Sequence, residues 1–227
     1  RSVRRQFASG LGVIIPPIRV KDNVQIDPNG YHIMLGGQIV GRGDLRAGNY
    51  LAMDPSGTAE AIDGLETIEP AFGLPARWIS EGDKDRAEML GYTVIDAPSV
   101  LVTHLTEVLK VTAADLLSRD DVKQLVDNLK KMAPAIVDEL IPGNFSLGQL
   151  QRVLAALLKE QVPVRNLQAI LESIADALPE TKDPRQLAER VRTKLARTII
   201  EPHLDNDGVL HATVLDPDLE RDLSDAI

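Results

Sequence analysis

The feature that most constrains this fold is a run of amphipathic segments between residues 99 and 195. Apolar side chains recur there at intervals of three and four residues, the spacing that lines one face of an α-helix. The pattern predicts five helices with short connections, which begin near residues 99, 118, 146, 167 and 184. Because each helix must bury its apolar face against another element, the run predicts an all-helical subdomain with its own core.

Local signals indicate where these helices start and stop. Ser118-Arg119-Asp120-Asp121 resembles a capping box, Ser146 is a candidate N-cap, and Asp183-Pro184 places an acceptor before a proline at the first helical position. Pro134 is predicted to end the helix that starts at residue 118, because proline lacks the backbone donor that a helix interior needs. Residues 99–117 are predicted to form one unbroken helix.

The first 98 residues predict short strands separated by turns. The clearest signal is Gly36-Gly37, which lies between the apolar runs 31–35 and 38–40 and permits the positive φ of a tight hairpin. Gly41-Arg42-Gly43-Asp44 is interpreted as a turn after this hairpin. Outside the helical run, the other predicted elements are helices at 2–10, 84–90 and 217–227, strands at 13–20, 50–53, 76–79, 92–95 and 209–215, and an extended segment at 61–68.

These elements predict an α+β fold with several subdomains. A first small α/β unit comprises residues 1–47 and 97–116, and a second small α/β subdomain, residues 48–96, is inserted into it. The all-helical subdomain spans residues 117–195. Residues 196–227 are predicted to be the start of a C-terminal α/β subdomain.

Composition excludes several classes of function. The net charge of −9 argues against a nucleic-acid binder and against attachment to an anionic membrane surface, because both need a basic face. The absence of cysteine excludes disulfides, thiolate metal sites and thiol catalysis. No apolar run approaches the roughly 20 residues that span a bilayer. Because the chain begins with Arg1 and not with methionine, we expect it to be a fragment of a longer protein.

The strongest candidate for a binding site is the stretch Glu69-Pro70-Ala71-Phe72-Gly73-Leu74-Pro75-Ala76-Arg77-Trp78. Its prolines predict a stiff, non-helical loop, and it holds two aromatic side chains in a chain with only 3% aromatic residues. A large ring on a stiff loop beside a carboxylate suits the docking of a partner, because little side-chain entropy is lost when the partner binds. The alternative is that Phe72 and Trp78 fill a core.

Residues for catalysis, cofactors or metals are not indicated. The four histidines lack the spacing of a metal site, and the carboxylates fall on helix caps and solvated faces. We therefore predict a protein that is not an enzyme and that has no catalytic, cofactor-binding or metal-binding residues. Two alternatives are an enzyme on the small α/β unit that uses His104 or Glu69, and a helix-turn-helix DNA binder, which the acidic charge opposes.

The first long helix carries a polar stripe opposite its apolar face. Its members are Ser99, Thr103, Thr106, Glu107 and Lys110. The stripe is either an ordinary solvated face or, at the end that holds Thr103, one wall of a groove whose other wall contains Glu69 and Phe72. The sequence leaves both interpretations open.

Several short stretches occur in the same order as in one protein family. They are residues 13–23 (VIIPPIRVKDN), 51–55 (LAMDP), 69–79 (EPAFGLPARWI), 103–105 (THL), 162–167 (VPVRNL) and 170–172 (ILE). From residue 1 to about residue 215 the chain closely resembles the FHIPEP family, the large export-gate subunits of bacterial flagella and of type III secretion injectisomes. Residues 54–55 and 69–76 resemble the flagellar branch more than the injectisome branch, which stays as the alternative.

This resemblance implies an inner-membrane protein whose C-terminal half lies on the cytoplasmic side as a nine-membered ring of four-subdomain chains. It implies that complexes of flagellar export chaperones with their substrates dock in a cleft between the first two subdomains, and that other export-apparatus proteins bind as well. Substrates would then be handed to the membrane channel. From the same resemblance we expect the chain to lack a strand from upstream of Arg1 and to stop early in the last subdomain, and we therefore do not expect the fragment itself to form a ring.

The resemblance also implies docking residues. The family's aspartate falls on Glu69, which is one methylene longer, and its phenylalanine and threonine fall on Phe72 and Thr103. The apolar neighbours of this dimple are expected to be Leu51, Pro55, Ile95 and Val100. A chaperone segment would place an apolar anchor against Phe72, while Glu69 and Thr103 make polar contacts at its edge. Such a site binds a partner and performs no chemical step.

Overall fold

The computed structural model describes residues 2–226 of the 227-residue chain. Its helices in these residues are α1 (Ser2–Leu11), α2 (Lys84–Met89), α3 (Ala97–Val111), α4 (Ala113–Leu116), α5 (Arg119–Lys130), α6 (Pro134–Leu140), α7 (Leu147–Lys159), α8 (Leu167–Ala177), α9 (Pro184–Lys194), α10 (Ala196–Ile200) and α11 (Pro217–Asp225). Its strands are β1 (Gly30–Leu35), β2 (Gln38–Asp44), β3 (Tyr50–Met53), β4 (Leu65–Ile68), β5 (Pro75–Ile79) and β6 (Thr93–Asp96). Strands and most helices occupy separate parts of the chain, which confirms the predicted α+β class.

Strands β1 and β2 form the predicted hairpin. They pair antiparallel around Gly36 and Gly37, whose φ angles of 56° and 86° suit glycine in a tight turn. A two-stranded hairpin is marginally stable alone, and here β2 packs against α3. The interpretation of residues 41–44 as a turn is wrong, because they continue β2 as far as Asp44, opposite Gly30.

The other four strands form one antiparallel sheet in the order β4-β5-β3-β6. Its inner strand β3 is buried on both faces: Leu51 and Ala52 point to opposite sides, and both are almost fully buried. Leu51 packs with Val100 of α3, and Ala52 packs with Ala87 of α2. A helix therefore covers each face of the sheet that carries the candidate loop.

The helical part follows its predicted start signals. Ser118 with Asp121 and Ser146 with Gln149 each form a capping box, which satisfies backbone donors at the first turn. The side chain of Asp183 caps α9, and a proline follows it at the first helical position. The inward faces of these helices join in one continuous hydrophobic core.

Two helix predictions are wrong in detail. Residues 99–117 are split between α3 and α4, because the backbone leaves helical geometry at Thr112, whose hydroxyl donates to the Val108 carbonyl at 2.8 Å. Pro134 does not end a helix, since α5 already stops at Lys130. Pro134 instead opens α6, where the missing backbone N–H is not needed.

Two predicted strands do not form in the described part of the chain. Residues 13–20 are irregular, and Val13 and Ile15 are buried in the helical core. Residues 209–215 are exposed throughout and make only one isolated bridge. A strand needs a neighbouring strand to accept its hydrogen bonds, and neither segment lies beside one within residues 2–226.

The subdomain limits at residues 47, 96, 116 and 195 stay predictions. Side-chain packing agrees with these limits in part, because two small hydrophobic clusters surround β3, which belongs to the predicted inserted subdomain. The helical core, however, also takes in Phe7 of α1 and Leu109 of α3 from outside residues 117–195. At the other end, α11 has no buried residue.

Candidate docking site

The loop that joins β4 to β5 is closed by four hydrogen bonds. The backbone N–H of Glu69 donates to the Leu74 carbonyl at 2.8 Å, and the N–H of Gly73 donates to the Glu69 carbonyl at 3.0 Å. The Glu69 carboxylate accepts from the N–H of Ala71 at 3.0 Å and from the N–H of Phe72 at 2.7 Å. Gly73 has a φ of 71°, where a side chain would be strained. The loop is therefore an ordered turn, as its prolines predicted.

The two aromatic side chains of this stretch have opposite environments. Trp78 is 3% exposed and lies opposite Leu51 in the sheet, so the core interpretation holds for Trp78. Phe72 is 61% exposed, so the core interpretation fails for it. The flanking Ile68 and Leu74 are also exposed, which the sequence pattern did not reveal. The loop thus presents three apolar side chains to solvent.

Glu69 and Thr103 differ in burial and in hydrogen bonding. Glu69 is 1% exposed and lies beneath the loop that it binds. Thr103 is half-buried on α3, and its hydroxyl has no hydrogen-bond partner within residues 2–226. By contrast, Thr106 and Thr112 each donate to the carbonyl four residues earlier. Thr103 therefore keeps a donor that its own helix does not use.

The four apolar residues predicted to surround the dimple divide into two pairs. Leu51 and Val100 are both fully buried and pack in one cluster with Trp78. Ile95, which pairs with Leu51 across β6 and β3, is half-buried, and Pro55 is exposed. In this conformation only Ile95 and Pro55 have surface that a partner could contact.

A polar pair joins the hairpin to α3. The hydroxyl of Tyr31 and Nδ1 of His104 are hydrogen-bonded at 2.7 Å, and the two rings meet edge-on with centroids 5.7 Å apart. The backbone of β2 approaches them at two glycines. A Cβ on Gly43 would lie 2.7 Å from the Tyr31 hydroxyl, and one on Gly41 would lie 3.1 Å from His104 Nε2. The glycines of residues 41–44 thus permit close packing inside a strand.

The charge of Glu69 acts on this pair. Burial raises the pKa of Tyr31 to about 12, and the carboxylates of Glu69 and Asp44 add to the effect. Burial lowers the pKa of His104, and Glu69 opposes that shift. The charge of Glu69 thus acts on both partners of the bond that joins the hairpin to α3.

A hollow of about 150 Å³ lies between the loop, β2 and α3. It is lined by Val40, Pro70, Ala71, His104, Glu107, Val108, Val111 and Thr112. The helix residues of this lining recur at helical spacing on one face of α3. The hollow adjoins the loop at Pro70 and Ala71, whereas Phe72 and Thr103 do not line it.

Within residues 2–226, no group of three or more histidine, aspartate or glutamate side chains is arranged to hold a metal ion. No helix in the same residues combines the length and the apolar character needed to cross a bilayer. The exposed groups of the loop and its flank are the ring of Phe72 and the apolar side chains of Ile68 and Leu74.

Comparison with known proteins covers the entire sequence. Residues 1–227 match the FHIPEP family. The flagellar biosynthesis protein FlhA of Bacillus subtilis (strain 168) is 44% identical over 225 residues, which cover 99% of this chain and 33% of that protein. The chain thus spans about one third of the length of this relative.

Two solved structures resemble the fold. The CdsV protein of Chlamydia pneumoniae has a TM-score of 0.80 at 25% identity, over 97% of this chain and 64% of that chain. A cryo-EM structure of nonameric EPEC SctV-C has a TM-score of 0.77 at 19% identity, over 99% of this chain and 68% of that chain, and this likeness concerns the fold alone. Because the family match runs over every residue and the fold agrees with it, the chain belongs to the FHIPEP family.

Proposed function

We propose that this chain is the docking part of a flagellar type III protein-export gate and receives complexes of export chaperones with their substrates. The observation that carries the proposal is the 61% exposed ring of Phe72 on a loop already closed by hydrogen bonds. A partner can bury such a ring at small entropic cost, because the loop is ordered before binding. The bound substrate is then passed to the membrane channel of the full-length protein.

The proposed contact surface is small and mostly apolar. Phe72 forms its centre, and the exposed Ile68 and Leu74 enlarge the apolar area around it. The family resemblance adds the hydroxyl of Thr103, on α3, as an edge contact. It also adds Pro55 and Ile95 at the edge, and Leu51 and Val100, which are buried in the cluster that holds Trp78.

The flagellar assignment is favoured over the injectisome alternative by similarity. The chain is 44% identical to a flagellar FlhA over nearly its full length, whereas the CdsV and SctV-C structures are 25% and 19% identical. The enzyme alternative is disfavoured by the geometry of its two candidate residues. The Glu69 carboxylate is occupied by two backbone N–H groups, and His104 is bonded to Tyr31.

The proposal for assembly and location rests on the same family membership. We propose that the full-length protein sits in the bacterial inner membrane, with this chain on the cytoplasmic side. The nonameric state of SctV-C supports a nine-membered ring for the full-length protein, and other export-apparatus proteins are proposed as further partners. No cofactor and no nucleic acid belong to this proposal.

The test is a calorimetric titration of the 227-residue chain with a purified flagellar chaperone–substrate complex of Bacillus subtilis, the source of one relative. We expect saturable, reversible binding that competes with no nucleotide or metal. The chaperone without substrate serves as a second titrant, and an injectisome chaperone complex serves as the control for the alternative. Absence of saturable heat with every flagellar complex would contradict the proposal.

A further inference from the structure

We propose that Glu69 is a positioning residue of the docking site: its buried carboxylate holds the backbone of Phe72, and the partner contacts the ring but not the carboxylate. This inference rests on the proposed docking function and assigns Glu69 a different role from the edge contact that family resemblance implies. The observations that carry it are the burial of Glu69 and the two bonds that its oxygens accept.

The Glu69 side chain has no surface left for a partner. It is 1% exposed, whereas Phe72, only three residues later, is 61% exposed. One carboxylate oxygen accepts from the N–H of Ala71 and the other accepts from the N–H of Phe72, both within the loop. A partner could reach this carboxylate only after the loop had opened.

The same bonds fix the backbone of Phe72 and the direction of its Cα–Cβ bond. Hydrogen bonds to an ionised carboxylate are shorter and stronger than neutral ones, and the bond from the Phe72 N–H is 2.7 Å long. Together with the bonds between the Glu69 and Leu74 ends of the loop, it fixes the backbone on which the ring stands. The backbone beneath the ring therefore needs little further ordering when a partner covers it.

The charge of Glu69 also reaches two residues of other elements. It acts on the pKa values of Tyr31 of β1 and His104 of α3, which are bonded to each other. The hydrogen bonds that hold the carboxylate, from the N–H groups of Ala71 and Phe72, lie within the loop itself.

The chain itself shows that a shorter carboxylate can make the same pattern. Asp54 accepts hydrogen bonds from the N–H groups of Ser56 and Gly57, two and three residues later. These are the same relative positions as Ala71 and Phe72. Glu69→Asp should therefore keep the cap, whereas Glu69→Gln replaces one acceptor oxygen by a donor NH₂ group.

The first test uses the free chain and needs no partner. Amide hydrogen exchange of Ala71 and Phe72 is measured by NMR in the wild type, Glu69→Asp, Glu69→Gln and Glu69→Ala. We expect exchange to quicken by about tenfold or more in the Gln and Ala variants, and to change by less than about threefold in the Asp variant. The melting temperature of each variant verifies folding, and Gln and Asp suffice if the Ala variant does not fold. Unchanged exchange in Glu69→Gln overturns the inference.

The second test couples Glu69 to Phe72 through a double-mutant cycle. The titrant is the Bacillus subtilis flagellar chaperone–substrate complex, and the background variant is Phe72→Leu, which leaves a smaller apolar anchor. We expect Glu69→Gln to weaken binding by about tenfold in the wild-type chain and by clearly less in the Phe72→Leu chain, because the carboxylate acts through residue 72. Glu69→Asp should restore the affinity.

The outcomes separate this inference from the docking proposal. An equal loss from Glu69→Gln in both backgrounds would mean direct contact with the partner, which overturns the positioning role and leaves docking intact. A second outcome is that Glu69→Gln speeds amide exchange while neither Phe72→Ala nor Glu69→Gln changes the affinity. This outcome would overturn docking at this loop and with it the positioning role.

Discussion

The hydroxyl of Tyr31 and Nδ1 of His104 are 73 residues apart in the sequence and hydrogen-bonded at 2.7 Å in the fold. This bond connects β1 to α3, and the charge of Glu69 acts on both partners. The buried carboxylate of the candidate docking loop thereby acts electrostatically on two elements that lie far from it in the chain.

Phe72→Ala is expected to weaken chaperone–substrate binding by about 2 kcal/mol or more, roughly 30-fold, as for a central aromatic of an interface. The melting temperature should stay near that of the wild type, because the ring is 61% exposed and supports no core. Calorimetric titration and thermal unfolding measure the two quantities. Met132→Ala is the control, since Met132 is 82% exposed and lies between α5 and α6. Equal affinities for the two variants would count against the docking site.

Thr103→Val is expected to lower the affinity by about threefold to tenfold, because the free hydroxyl loses a hydrogen bond to the partner while the side-chain shape is kept. Thr106→Val is the matched control on the same helix, since the Thr106 hydroxyl already donates to the Val102 carbonyl. Titration with one chaperone–substrate complex measures both variants. A similar affinity for the two chains would remove Thr103 from the contact surface.

Gly43→Ala is expected to destabilise the chain by about 1–3 kcal/mol, the usual range for overpacking. The added Cβ would lie 2.7 Å from the Tyr31 hydroxyl, so the ring must move and its bond to His104 must stretch. Gly10→Ala in α1 is the control, because no atom lies within 4 Å of the added Cβ there, and alanine favours a helix by up to about 1 kcal/mol. Urea unfolding of both variants measures the difference. Destabilisation of similar size at Gly10 would refute the steric explanation.

The stability of the chain is expected to fall as the pH decreases from about 7.5 to about 5.5, around the ordinary histidine pKa of about 6.5. Burial lowers the pKa of His104 in the folded chain, with Glu69 opposing the shift. Because the unfolded chain then binds the proton at higher pH, protonation favours unfolding as the pH drops through this window. Melting temperatures of the wild type and of His104→Gln, across the window, measure the effect.

The His104→Gln variant should lose most of this pH dependence. His32→Gln is the matched control, because His32 is exposed on β1 and its replacement should leave the slope intact. The same slope in the wild type and in His104→Gln would show that other groups cause the loss of stability.

Short-range signals predicted much of the architecture. The capping boxes at Ser118 and Ser146, the start of α9 at Asp183 and the hairpin turn at Gly36-Gly37 all form where the sequence placed them. Each of these signals works within a few residues, through a side chain that binds a nearby backbone group or a glycine that permits positive φ. These local structures therefore form without depending on the tertiary contacts around them.

Two strand predictions failed because no second strand lies beside the segment, whereas the strands predicted near residues 50–53, 76–79 and 92–95 did pair in one sheet. Residues 13–20 have the composition of an edge strand, but Val13 and Ile15 pack into the helical core. Residues 209–215 also show a strand pattern and make only one isolated bridge. Strand propensity describes a fit to a sheet surface, so it has no effect where the fold brings no second strand alongside.

For the candidate site, the sequence by itself determined the residue types and the stiffness of the loop, through its prolines. Only the tertiary structure decided that Trp78 is buried while Phe72 is exposed, and that Glu69 lies beneath the loop. The physical reason is that burial depends on which surfaces pack on a residue. For Trp78 these are β3 and α3, elements that begin 28 residues earlier and 19 residues later in the chain.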